Sequence, residues 1–259
     1  MWNIIKSQWY QLVRDKRVRS TFIVTILFNG AVTFANMDTF GEDMQGGLIT
    51  ADLGSFYGIM GMVFMLGTIA FVMVTDFMDK TLNYEILSGH SRKEVLFGRF
   101  IVAALAGSIG AIVVMIFFPC ALTVVFGWGS APESGGVFWR YVLVYIMLLR
   151  IACELAFISV IVKNPYVVIF VGYIVGSIEF MLLLLKPVLL NMEFFFQILS
   201  VCRCSELLSF DVYRNELGQI TGMASLMVQD VLITIAGAVI IGTAAVAAAY
   251  AYFKRDDLH

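Results

Sequence analysis

Arg150 and Glu154 stand four residues apart inside one apolar run, 141–162, and Glu179 stands inside the next, 166–185. Four residues make about one helical turn, so Arg150 and Glu154 share a helix face. A charge in the middle of a bilayer costs about 3 kcal/mol unless paired, and such groups turn toward a bundle interior or a wet cavity. At about 1.5 Å per residue, Arg150 lies about 14 Å and Glu179 about 9 Å below the same end of their runs, depths that permit a pair across two helices. Two uses stay open for this set: an ion pair locking two spans together, and a polar spot in a translocation path. Glu154 and Glu179 could also carry protons in an ion-coupled secondary transporter. Such a carrier predicts inverted halves and broken helices, and neither is visible in the sequence.

Little other chemistry is available. The histidines are His90 and His259, both outside the apolar runs, and neither H-E-x-x-H nor G-x-S-x-G occurs, so an intramembrane hydrolase lacks its parts. Cys120 and Cys153 fall in apolar runs, where a thiol acts as a small hydrophobe. Cys202 and Cys204 form C-x-C, too short for an easy disulfide and unlike the paired spacing of a zinc site. No metal, cofactor or catalytic residue is expected in this chain. No G-x-x-x-x-G-K-[ST] loop is present to cradle ATP phosphates.

These charges need helices to hold them, and the composition supplies the kind. Of 259 residues, 60% are hydrophobic and 14% charged, against about 25% charged in a soluble domain. The net charge of -2 comes with no basic and aromatic face, which excludes a nucleic-acid partner. Runs of about 20 apolar residues can cross a bilayer. The predicted fold is all-α: a polytopic membrane protein with six transmembrane helices over 21–36, 53–75, 100–126, 141–162, 166–185 and 231–253. Ahead of them, 1–20 reads as an interfacial helix, with Trp2, Ile5, Trp9, Leu12 and Val13 at helical spacing. Its charges, Lys6, Arg14, Lys16, Arg17 and Arg19, rule out a cleavable signal peptide. The stretch 187–230 holds an apolar piece too short to cross, Val188 to Leu199, and reads as a re-entrant or interfacial segment at the outer leaflet.

Twelve Lys and Arg flank the spans on one side and four on the other, so the positive-inside rule places both termini in the cytoplasm. An even number of spans requires the termini to agree. Ala103, Gly107 and Ala111, and likewise Thr234, Ala238 and Gly242, form small-x-x-x-small stripes that suit helix contact, within one subunit or between two.

The most specific signal is cytoplasmic, at 79–98. Lys80 to Ser88 can form a short amphipathic helix with Leu82, Tyr84, Ile86 and Leu87 as its apolar contacts, and Gly89 can take the left-handed stop. Ser91 and Glu94 are spaced as a capping box that starts the next helix. The stretch DKTLNYEILSGHSRKEVLFGR, with Asp79, Gly89, Ser91, Arg92 and Arg99 in register, resembles the segment after the second span in permeases of the ABC type-2 export family. Lys80 stands where a glycine is frequent there, and Arg99 where a lysine is. The resemblance extends to the layout of the whole chain. It implies a cytoplasmic coupling helix that docks a separate ATP-binding subunit, with Lys80, Glu85, Gly89, Ser91 and Arg92 as docking residues. It also implies ATP and Mg on that partner, a second permease subunit of the same or a related chain, and a location in the cell membrane. The function so implied is export of an amphipathic cargo such as an antimicrobial peptide, a drug or a lipid-like molecule.

Overall fold

A computed structural model describes residues 1–40, 45–78, 85–129, 133–186, 193–210, 212–214 and 220–255. Among these the chain is helical apart from one short hairpin. Helices run over Trp2–Arg14 (α1), Lys16–Phe40 (α2), Gly46–Met78 (α3), Arg92–Phe126 (α4), Ser134–Val162 (α5), Pro165–Leu185 (α6), Glu193–Ile198 (α7), Ser200–Ser209 (α8) and Val228–Arg255 (α9). Strands Val212–Arg214 (β1) and Ile220–Met223 (β2) pair antiparallel between α8 and α9, a feature the all-helical expectation lacks. Six helices, α2 to α6 and α9, are long and apolar enough to cross a membrane.

Most of these helices exceed the runs read from sequence. α3 begins at Gly46 rather than 53, α4 at Arg92 rather than 100 and α5 at Ser134 rather than 141. Hydropathy registers the thickness of oil, whereas backbone hydrogen bonding continues through small and polar residues beyond it. At the start, 1–20 is not one helix. The chain breaks at Asp15, whose carboxylate accepts from the Arg17 N–H at 2.7 Å, and α2 starts at Lys16. α1 buries Ile4 and Gln8, while Trp2, Trp9 and Val13 face outward. Its cations lie over its own rings, Lys6 5.6 Å from Trp2 and Arg14 4.1 Å from Tyr10, as suits a helix at an interface.

Packing is densest between α3 and α4, then between α9 and α5. The two small-residue stripes account for this. Gly107 lets Met65 and Ile69 of α3 press against α4, with Ala103 and Ala111 fully buried beside it. On α9, Thr234, Ala238 and Gly242 are buried, and Gly242 approaches Cys153 of α5. Both stripes therefore make contacts within the chain. The α5–α6 turn follows its local chemistry: Lys163 is left-handed at φ 52, and Asn164 caps α6 by accepting from the N–H groups of Tyr166 and Val167, with Pro165 in the first turn.

Both chain ends meet at one end of the bundle, the terminal face. The Met1 ammonium reaches Glu94 at 3.3 Å, and the Arg92 guanidinium donates to the Lys254 carbonyl at 3.3 Å. The base of α4 lies between them.

Candidate functional site

The intramembrane charges are organised by a helix that the sequence reading did not resolve. Arg150 lies about 18 Å and Glu179 about 21 Å from the α5–α6 turn, counted along their helices at about 1.5 Å per residue. At this shared depth the chain turns between α7 and α8. Arg150 donates from Nε to Glu154 at 2.8 Å and from Nη2 to the Ile198 carbonyl, the free end of α7. Glu154 accepts from Ser200 through both carboxylate oxygens, at 2.9 Å each, and Glu179 accepts from the Val201 N–H at 2.7 Å. Two carboxylates thus sit at the first turn of α8 and one guanidinium at the last carbonyl of α7. Each charge faces the backbone dipole end of opposite sign, and Arg150 and Glu179 there satisfy backbone groups that have no helical partner.

One expectation changes here. The carboxylate of Glu179 takes a backbone N–H rather than pairing with Arg150, because the α7–α8 turn lies between them. The turn of the segment reaches the middle of α5, which is the re-entrant rather than the interfacial of the two forms read from sequence. The apolar length of Val188 to Leu199 underestimates the depth because α8 enters with polar residues that α5 and α6 satisfy. Cys202 and Cys204, the C-x-C pair, are buried on α8.

Further along α8, Arg203 donates to Thr234 at 3.0 Å and to Glu206 at 3.2 Å, and pairs with Asp230 at 3.4 Å. Glu206 also bridges to Lys186 at the end of α6. Nearer the far face, Arg140 donates to the carbonyls of Leu207 and Ala224. The packing of α8 on α3 is close: a Cβ on Gly54 would stand 2.7 Å from the Leu208 carbonyl oxygen. Ser200, Arg203, Asp230 and Arg140 were not singled out from sequence. The one available signal was the three-residue spacing of Arg203 and Glu206, which fits a helix. Cys204 is fully enclosed on α8.

The second candidate region is at the terminal face. Residues 85–87 are helical and end in a turn at Ser88 and Gly89, where Gly89 has φ +97 and open space around it. Ser91 then caps α4: its hydroxyl accepts from the Glu94 N–H at 3.2 Å, and the Glu94 carboxylate accepts from the Ser91 N–H at 3.2 Å, a complete capping box. Glu85 pairs at 2.9 Å with Arg99, which is 1% exposed, so the helical turn at 85–87 is pinned to the base of α4. Leu87, Ser88 and Gly89 project outward, Leu87 at 81% exposure. The structure thus brings Glu85, Gly89, Ser91 and Arg92 together, and Lys80 lies outside the described residues. The coupling segment 79–98 is described from residue 85 onward.

Among the described residues no group of three or more His, Cys, Asp or Glu could hold a metal ion. No protein-family model matches the chain, and no curated protein matches its sequence.

Proposed function

We propose that this chain is the membrane permease subunit of an ATP-driven exporter of the ABC type-2 kind, with its terminal face cytoplasmic and a separate ATPase docked on the turn at Gly89. The observation that carries this reading is the braced helix, turn and helix at 85–99. An exposed leucine on a solvated loop gains nothing from a buried ion pair and a complete capping box behind it. A surface that must transmit force needs both, because a docked partner moves α4 only if the turn does not yield first. Through α4 that motion reaches α3, the helix packed most closely on it, and α8 leans on α3 at Gly54.

The basic residues around the terminal face, Lys6, Arg14, Arg17, Arg19, Arg92 and Lys254 among them, support the cytoplasmic assignment. The cargo in this reading is amphipathic, and the assembly contains two permease and two ATPase subunits in the cell membrane. Glu154 and Glu179 are the proton sites of the competing reading, an ion-coupled carrier.

The test is a pull-down in mild detergent from the native host, scoring ATPase activity in the eluate. Activity that co-purifies with the wild-type chain and is lost on Gly89→Val supports the exporter. A folded chain that brings down no ATPase, and whose transport in vesicles follows a proton gradient, moves the assignment to the carrier.

A further inference from the structure

A groove of about 510 Å³ runs between α5 and α9, lined by apolar side chains that include Ile146, Leu149, Val239 and Val246. Arg150 opens into it. This side chain is 5% exposed, and its Nε and Nη2 are used on Glu154 and the Ile198 carbonyl. Its Nη1 makes no hydrogen bond to any described residue and points toward Gly237, where a Cβ would lie 3.5 Å away. Gly237 leaves that nitrogen uncovered. The nitrogen thus keeps accessible surface at an apolar groove, and leaving a guanidinium N–H without an acceptor is costly at this depth.

We infer that the α5–α9 groove binds a lipid-like amphiphile, its chain along the apolar walls and an oxygen acceptor, carboxylate or carbonyl, on Nη1 of Arg150. The acceptor has to be anionic or neutral, since a cationic head supplies none. Depth separates this ligand from an ordinary annular phospholipid. Arg150 stands about 18 Å from the α5–α6 turn and about 15 Å beyond Arg140 along α5. Headgroups lie at the edges of about 30 Å of hydrocarbon, so a lipid in normal register keeps its oxygens far from this nitrogen. The inference specifies the cargo class of the proposed exporter and rests on that reading only for the word cargo, because binding is tested with neither ATP nor an ATPase present.

The full chain in phosphatidylcholine nanodiscs is irradiated with palmitic acid carrying a mid-chain diazirine, and separately with the matching long-chain amine, and adducts are mapped by peptide mass spectrometry. Adducts of the acid are expected at Ile146, Cys153 and Val246, with the amine absent there. Gly237→Leu, whose side chain would begin 3.5 Å from Nη1 and cover it, is expected to lower those adducts by about tenfold or more while labelling on α2 stays constant. Val239→Trp, at an exposed rim position, provides the same block should the glycine variant fold poorly. Equal labelling by acid and amine overturns the site, as does labelling indifferent to both variants. So do crosslinks between two chains at Val239, which would show a second copy in the groove.

Discussion

Glu154→Gln removes one charge from the centre of the bundle with almost no change in shape. The Arg150 Nε to Glu154 Oε1 distance is 2.8 Å, with the two side chains 5% and 29% exposed. Two unit charges whose centres lie about 4 Å apart attract by about 4 kcal/mol at an effective dielectric of about 20. Glutamine keeps the Ser200 contact and one hydrogen bond from the charged guanidinium of Arg150, worth about 2 kcal/mol. The expected loss is therefore about 2 kcal/mol, short of the about 3 to 5 kcal/mol that stranding one member of a fully buried pair costs. Arg150→Met combined with Glu154→Gln removes the stranded cation, so the double variant is expected to be more stable than Glu154→Gln alone. The assay is reversible unfolding in mixed micelles by graded addition of SDS, followed by tryptophan fluorescence, as a double-mutant cycle. A coupling energy below about 0.5 kcal/mol would refute the reasoning, because independent sites add to within that margin. Arg150 and Glu154 would then be spectators at the α7–α8 turn.

The other predictions test the remaining parts of the frame. Gly89→Val places a β-branched residue at φ +97 with open space around it, so the strain of about 1–2 kcal/mol is purely backbone. It should disrupt the turn and abolish ATPase capture while lowering stability in the SDS titration by no more than that strain, and capture left intact would contradict the docking role. Gly54→Ala sets a methyl 2.7 Å from the Leu208 carbonyl oxygen and should cost about 1–3 kcal/mol in the same titration by pushing α8 off α3; no loss would show that α8 packs elsewhere. Cys204, 0% exposed on α8, should resist N-ethylmaleimide until the protein is unfolded. Rapid labelling of Cys204 at neutral pH in the folded state would contradict its enclosure.

The spans were legible because each is a run whose length has one cheap solution in a bilayer, a helix. The capping box at Ser91 and Glu94 was legible for a different reason: it is local, and its geometry depends on four residues. What failed to show was the meeting of 150, 154 and 179 with 198 to 201. Their charges announced that they needed partners, but those of Arg150 and Glu179 are backbone groups at the ends of α7 and α8, which carry no mark in the sequence, and that of Glu154 is the hydroxyl of Ser200, a residue type common on any surface. Arg203 and Asp230 carried no signal of their own, because their pairing depends on α8 lying against α9, a tertiary fact that hydropathy does not register.

The Arg92 guanidinium binds a carbonyl 162 positions further along, at the last turn of α9. During synthesis the first four spans and the turn at Gly89 emerge long before that carbonyl exists. The terminal face therefore gains its final brace only after the last helix has entered the bilayer, whereas the Met1 contact to Glu94 forms as soon as α4 is made. A chain stalled or cut before α9 would carry the turn without this support. The terminal face is therefore complete only in a chain that carries α9, so the docking proposed for it would favour finished over unfinished chains.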